Sequence, residues 1–528
     1  MAAKIREYMA DVHILWADDE IDLLKPHVLF LEQKGYLVTT VNSGNEAIDK
    51  VREHHYDIVF LDENMPGITG LETLQVIKAE DPGLPVVMIT KSEEEEIMEE
   101  AIGSKISDYL IKPLNPNQIL LSLKKNLDEK RLVSQKATSD YQLDFRQIGM
   151  RLSDRLDASE WKEMYRKLTY WSQELERSRE SGMDEVFKMQ YSEANAQFFR
   201  FIKDNYLGWL KSPSEAPLLS PSVFKNRIAP LLKQGDSRPV FMVVIDNLRF
   251  DQWKAIQPRL SEFFRVEEEE MYYSILPTAT HYSRNALFSG LMPSEMERLF
   301  PNYWKNEDDE GGKNLHEDVF LESQLKRLGL DLKWSYNKIT NLNAGKKLSE
   351  NFSNLLQNKL NVIVYNFVDM LSHARTEMEV IKELADDEAA YRSLTSTWFE
   401  HSPLLEILKQ VAKSGARLVI TTDHGTVKVD RPIKVIGDRN TNSNLRYKVG
   451  RNLDYNAKEV FEVKKPEEAF LPRINVSSVY LFAPESGFFV YPNNYNHFVN
   501  YYKDTFQHGG ISLEEMIIPL IILEPRQQ

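Results

Sequence analysis

Across residues 12–128, short apolar runs at 12–17, 57–61, 85–90 and 108–111 alternate with stretches whose apolar residues recur at helical spacing. This predicts strands joined by crossover helices in a doubly wound sheet. From 129 to 211 the strand signal stops. There Trp161, Leu168 and Leu175 recur at sevens, followed by Phe187, Tyr191, Ala194 and Phe198, which predicts a helical segment. Pro213, Pro217 and Pro221 then break the pattern and predict a linker over 212–222. Beyond it alternation resumes, with strands at 240–245, 362–367 and 418–422, each followed within two positions by an acidic residue. Ligands bind at the C-terminal edge of an open α/β sheet, so these acids mark a candidate site. The expected organisation is a multidomain α/β chain in three parts: 1–128, a helical bundle and linker at 129–222, and a second α/β domain at 223–528.

Length and composition agree with this division. A chain of 528 residues exceeds what one core fills, and 42% apolar with 27% charged residues describes a chain folded throughout. The net charge of -15 argues against coating nucleic acid as the main output. The sequence has no cysteine, which leaves His, Asp, Glu and hydroxyl groups to hold any metal and fits a reducing compartment such as the cytoplasm. The residues before Val12 include Lys4, Arg6, Glu7 and Asp11, and the longest apolar runs are strand-length. Neither a signal peptide nor a membrane span is expected.

Four strand ends in the first part carry related chemistry. An aspartate attacks phosphorus only when its own charge and that of the phosphoryl group are neutralised, which calls for a divalent cation beside it. Asp18 and Asp19 follow the first strand and are candidate magnesium ligands, while Asp62 ends the third, with the Asn64 carbonyl available to the same ion. Thr90 ends the fourth strand, where its hydroxyl can bond a phosphoryl oxygen. Lys112 ends the fifth, followed by Pro113 as a candidate cis peptide, and Tyr109 lies three residues earlier. Over residues 10–128 this resembles response-regulator receiver domains, which are flavodoxin-like. The resemblance implies phosphorylation of Asp62 by a sensor histidine kinase and a switch through Thr90 and Tyr109. It also implies remodelling of the face of the fourth and fifth helices, commonly with homodimerisation.

The last part holds a second set. Two zinc ions polarise a phosphoryl oxygen, activate a hydroxyl and stabilise the leaving oxygen; without cysteine they need about six His and Asp ligands. Candidates are Asp246, Thr280 in the PTAT turn, Asp369 and His373 one helical turn apart, adjacent Asp423 and His424, and His508 before two glycines. His281, His401 and His497 read as packing or surface residues. From 239 to 525 this order resembles the alkaline phosphatase superfamily, and its PglZ-type branch above all. The resemblance implies an alkaline-phosphatase-like hydrolase in which Asp246, Thr280, Asp423 and His424 hold one zinc and Asp369, His373 and His508 the other. Arg284 and Gly290 follow Thr280 at the spacing of sulfatase-like members, which makes Thr280 the expected nucleophile and Thr278 the runner-up. Arg284 either supports the turn or contacts substrate phosphate.

An insertion at 430–465 concentrates Arg431, Lys434, Arg439, Arg446, Lys448 and Arg451. It reads either as a lid that attracts a nucleotide or oligonucleotide phosphodiester or as a solvated loop. Receiver, helical segment and PglZ-like domain in this order resemble the response regulators of the type IX protein-secretion system. That resemblance implies contacts with a sigma factor and with the cytoplasmic part of the secretion motor. Two outputs follow: a phospho-regulated zinc phosphodiesterase, or a phospho-regulated adaptor in which zinc is structural.

Overall fold

The computed structural model describes residues 12–526 except 82, 92–105, 179–180, 234–235, 308, 310, 378–386 and 439–440, with backbone alone at 124, 127–140, 178, 181–182 and 373–377. Contacts divide the chain into two compact units, 1–142 with 177–180, and 143–176 with 181–528.

In the first unit β1 (His13–Ala17), β2 (Leu37–Val41), β3 (Ile58–Asp62), β4 (Val86–Thr90) and β5 (Asp108–Ile111) form a parallel sheet in the order β2-β1-β3-β4-β5. Strands β3 and β4 are buried along their whole length, as a parallel sheet covered on both faces requires. Alternate residues serve opposite faces. Leu15, Val59 and Leu61 pack against Ala47 and Ile48 of α2 (Gly44–Glu53) and Leu74 and Ile77 of α3 (Gly70–Glu80). Ile14, Trp16, Ile58 and Phe60 pack against Leu31 of α1 (Lys25–Gln33) and Ile119 and Leu123 of α4 (Pro116–Ser153). Thr69 and Glu72 close a capping box at the start of α3. At Gly70 an added Cβ would lie 2.3 Å from the Asp62 carbonyl oxygen, so only glycine lets α3 start directly beneath the end of β3. The fourth receiver helix, part of the expected switch face, lies outside the described residues. Helix α4 runs unbroken past residue 128, where the sequence suggests a boundary.

The second unit contains α5 (Ala158–Ser178) and α6 (Ser181–Lys211), whose apolar stripes meet through Trp161 and Phe198, ring centroids 5.3 Å apart. Both helices lie against the edge of a six-stranded sheet. Its strands are β6 (Val240–Ile245), β7 (Phe264–Tyr273), β8 (Trp334–Ile339), β9 (Leu360–Tyr365), β10 (Arg417–Thr421) and β11 (Ile517–Pro525). Their order is β7-β11-β10-β6-β9-β8, with β10, β6, β9 and β8 parallel and β11 antiparallel to both neighbours. Every residue of β6 and β9 is buried. One face packs Val240, Met242, Val244, Val362 and Val364 on Leu287 and Phe288 of α8 (Thr280–Ser289) and Phe320 and Leu325 of α9 (Glu317–Arg327). Further helices of this unit are α7 (Phe250–Leu260), α10 (Phe367–Glu377), α11 (Glu388–His401) and α12 (Pro403–Lys413). The insertion contributes strands to two three-stranded sheets, which are completed by Gly487–Val490 beside Arg431–Ile436 and by Val479–Phe482 beside Tyr447–Gly450. Among the described residues no helix is long and apolar enough to cross a membrane.

Candidate functional site

In the first unit the strand ends bring Asp18, Asp19 and Asp62 together, each offering a carboxylate oxygen within 4.8 Å of the others. Lys112 at the end of β5 places its ammonium 2.9 Å from Asp18 and 2.7 Å from Asp62. Burial pushes the Asp62 carboxyl up, against the opposing pull of Lys112. The exposed Asn64 donates its backbone N–H to Asp62 at 3.3 Å. The Thr90 hydroxyl donates to the Glu63 carboxylate. The Tyr109 phenol, within reach of Thr90, is pushed up by burial. Three acids, one lysine and one hydroxyl therefore line a single edge of the sheet, a donor set that suits magnesium and a phosphorylated carboxylate.

In the second unit β6 runs between β10 and β9, so the acid following it, Asp246, is flanked by those of both neighbours. Ligand atoms of Asp246, Asp423 and His424, all buried, lie within 4.8 Å of one another. The His424 Nε2 is 3.7 Å from Asp246 and 3.7 Å from Asp423. Asp369, in the first turn of α10, sits 3.6 Å from the His508 Nε2, and the His424 and His508 rings stack at 4.2 Å. The structure thus brings together Asp246, Thr280, Asp369, Asp423, His424 and His508. The remaining candidate, His373, lies on α10, and its side chain lies outside the described residues.

The histidine tautomers follow from their neighbours. Nδ1 of His424 lies 3.1 Å from the Gly425 carbonyl, and Nδ1 of His508 lies 3.2 Å from the Thr278 carbonyl. A carbonyl only accepts, so Nδ1 carries a proton in each ring and Nε2 is the atom turned toward the acids, the orientation a metal-ligating histidine uses. Asp423 Oδ2 is buried and accepts no hydrogen bond among the described residues. Burial, then the charge of Asp246, pushes Asp423 up to about 6 and Asp369 up to about 8. Asp246 is held below the usual carboxylate range because Arg284 and His424 outweigh its burial. A crowded, dehydrated set of carboxylates and imidazoles with one oxygen left over fits divalent cations.

The two threonines of the turn differ. Thr280, the first residue of α8, is half-buried, with its hydroxyl 3.0 Å from the His424 Nε2 and 3.4 Å from Asp246. Thr278 is fully buried; its hydroxyl donates to the Gly510 carbonyl at 2.9 Å and accepts from the Gly509 N–H at 3.1 Å, so it is already engaged. Arg284 is 1% exposed, bonded to Asp246 at 2.6 Å and to Glu317. The guanidinium bridges Asp246 and Glu317 and so has little surface left for the substrate contact that is one of its two expected roles.

Glu317, which also accepts from Lys338 at 2.9 Å, carries no linear signal in the sequence. The cations of the basic insertion divide: Lys434 is exposed and Arg431 lies 3.8 Å from Glu485, while others are taken up inside the fold. Arg446 is buried against Glu515 at 2.6 Å, and Lys448 is buried with its ammonium on the Asn442 carbonyl at 2.9 Å. Arg451 pairs with Asp438 at 2.7 Å, and Arg439 lies outside the described residues. His281, expected as a packing residue, is buried and stacks on Trp304 at 4.6 Å.

Comparison with known proteins assigns each part. The model of the BREX system PglZ alkaline phosphatase-like domain matches residues 223–523, that of the PorX response regulator linker domain 131–210, and that of the response regulator receiver domain 14–124. The transcriptional regulatory protein ZraR of Klebsiella oxytoca is 36% identical over 138 residues, 26% of this chain and 31% of its own length. ResD of Bacillus subtilis is 32% identical over 114 residues, 22% of this chain and 47% of its own. The chain thus spans less than half the length of either relative. Among solved structures, a CheY-like response regulator receiver domain protein from Methanospirillum hungatei is 27% identical, with a TM-score of 0.22, over 23% of this chain and 96% of that one.

Proposed function

The chain belongs to the PglZ family of alkaline phosphatase-like proteins, joined to a receiver and a linker in the order of a PorX-type response regulator, and from that footing we propose that its output is a zinc-dependent phosphodiesterase. The observation that carries this reading is the Thr280 hydroxyl, 3.0 Å from His424 and 3.4 Å from Asp246 at the edge of the buried acid cluster. Asp246, Asp423 and His424 with Thr280 would hold one zinc, and Asp369, His373 and His508 the other. When bound, the ions supply Lewis-acid stabilisation of the attacking and leaving oxygens.

The chain's own residues prepare the attack. Arg284 fixes one oxygen of Asp246 and leaves the other toward Thr280. The Gly425 and Thr278 carbonyls hold the two imidazoles with Nε2 inward. Thr280 opens α8, so the positive end of the helix dipole lies at the oxygen that must bear charge when it attacks phosphorus. Nucleotide or oligonucleotide phosphodiesters are the proposed substrates; Arg446 and Lys448, buried in the insertion, are not the groups that would attract them.

The regulatory half of the reading has a histidine kinase phosphorylate Asp62, with magnesium on Asp18, Asp19, Asp62 and the Asn64 carbonyl, and Lys112, Thr90 and Tyr109 carrying the switch to a homodimer. Action in the cytoplasm on type IX secretion, through a sigma factor and the secretion motor, completes it. The test is zinc content together with hydrolysis of aryl phosphate mono- and diesters by wild type and Thr280→Val. Bound zinc with turnover lost in Thr280→Val is the expected result. Bound zinc without threonine-dependent turnover would sink the enzyme and favour the adaptor.

A further inference from the structure

Helix α6 touches both loops that carry the candidate chemistry. Asn195, 6% exposed, accepts a hydrogen bond from the Leu513 N–H at 2.8 Å and donates to the Glu514 carboxylate at 3.2 Å. Leu513 is the first residue of the short helix Leu513–Met516, which follows His508-Gly509-Gly510. That helix is locked to both histidine loops. The Glu515 carboxylate accepts from the Gly510 N–H at 2.9 Å, and its carbonyl accepts from the Gly425 N–H at 3.2 Å. A Cβ at Gly425 would lie 2.0 Å from the Glu514 carbonyl oxygen, so the backbones are in direct contact beside His424.

The second contact reaches the nucleophile turn. Tyr206, 1% exposed, accepts from the Leu276 N–H at 2.8 Å, four residues before Thr280. Asn195 and Tyr206 are eleven residues apart. That is three helical turns, so they leave α6 from one face about 16 Å apart. Both use an otherwise orphaned backbone donor: the first N–H of a helix and an N–H in an irregular turn.

We propose that Asn195 and Tyr206 are positioning residues, through which α6 sets Thr280 against the Asp246–Asp423–His424 cluster, so that movement of α6 changes turnover without touching a metal ligand. The proposal rests on the phosphodiesterase reading and names how that site is regulated. A misplacement on the order of 1 Å at a reacting group can cost roughly a hundredfold in rate. Losing one of two anchors should therefore cost about tenfold.

The experiment uses the full-length chain with Tyr206→Phe, which keeps the buried ring, and Asn195→Leu, which keeps the branched skeleton and removes the amide. Measured quantities are kcat and KM on an aryl phosphodiester, zinc content, and amide hydrogen exchange over 274–280 and 508–516. The expected result is a fall of about tenfold in kcat in each variant, with KM and zinc content within about twofold of wild type, and faster exchange confined to the anchored loop. Unchanged kcat overturns the proposal, as does a loss that merely tracks lost zinc. If wild type itself shows no turnover, the phosphodiesterase reading fails, and exchange then decides the role of α6. Faster exchange confined to these loops upholds the anchoring, and unaltered exchange overturns it.

Discussion

Replacing Arg284 with Met tests whether its guanidinium stands in for missing positive charge in the acid cluster. Arg284, Asp246 and Glu317 are each about 1% exposed, so the substitution leaves two buried carboxylates without their shared cation. Breaking a buried ion pair by removing one partner costs roughly 3–5 kcal/mol. Glu317 keeps the Tyr336 hydroxyl and the Lys338 ammonium at 2.9 Å, so the loss falls mainly on Asp246. What remains near Asp246 is the Thr280 hydroxyl at 3.4 Å and the His424 Nε2 at 3.7 Å. Methionine fills most of the vacated volume, which points to the lower end, about 3 kcal/mol, for the zinc-free protein. With zinc bound, a cation again faces Asp246, and the difference should narrow to about 1 kcal/mol. By linkage that 2 kcal/mol difference means the variant's zinc affinity rises about thirtyfold relative to wild type. Denaturant titration of the second unit in chelator and in saturating zinc, beside a direct zinc titration, measures all three quantities. A destabilisation below about 1 kcal/mol without zinc, or one of equal size with and without it, would refute the reasoning.

Lys448 predicts a pH dependence away from the metal cluster: burial pushes its ammonium down to about 7, so between pH 7 and its ordinary 10.5 the unfolded chain holds a proton that the folded chain has shed. Stability should therefore rise with pH across that window, and Lys448→Met should stabilise by about 3 kcal/mol at pH 6 and by little near pH 10; thermal melts at both pH values check this, and a pH-independent effect rejects it. Thr278→Val strands the Gly510 carbonyl and the Gly509 N–H and should cost about 1–3 kcal/mol while sparing turnover, whereas Thr280→Ser should retain turnover that Thr280→Val loses. The reverse pattern in steady-state assays would move the nucleophile to Thr278. Asp62→Ala should abolish any change in sedimentation provoked by acetyl phosphate or beryllofluoride; an unchanged response would reject the switch.

Much of the candidate site is readable in the sequence because its residues follow strands. Asp18, Asp62, Asp246 and Asp423 each stand within two positions of the end of an apolar run, so predicting the strand also assigns the acid to the ligand-binding edge. Spacing to Arg284 and Gly290 ranks Thr280 above Thr278 only through a resemblance and gives no physical reason for the choice. Both occupy one turn, and the difference is whether the hydroxyl is consumed by Gly509 and Gly510, more than two hundred residues away. For the same reason the two roles of Arg284 stay open until Glu317, thirty-three residues on, is seen to close the far side of the guanidinium.

What the sequence hides is which charges are already spent. Arginine and lysine in a loop read as solvated, because they are almost never fully buried unless paired. Arg446 breaks that expectation only because Glu515, sixty-nine residues later, meets it in the interior. Glu515 takes Arg446 with both oxygens, one of which also accepts from the Gly510 N–H, so an arginine that resembles part of a substrate lid is a strut under the His508 loop. Asn195 is a parallel case, a polar residue on a helix whose apolar stripe gives no hint of a partner 318 positions away. Arg284, Arg446 and Asn195 thus place buried polar contacts behind Asp246, the His508 loop and the short helix at Gly425, where they hold backbone and carboxylate in position instead of meeting substrate. A negatively charged ester reaching Thr280 meets Asp246, Asp369 and Asp423 with the Arg284 guanidinium already engaged, which is the physical reason the proposed chemistry places cations on those acids.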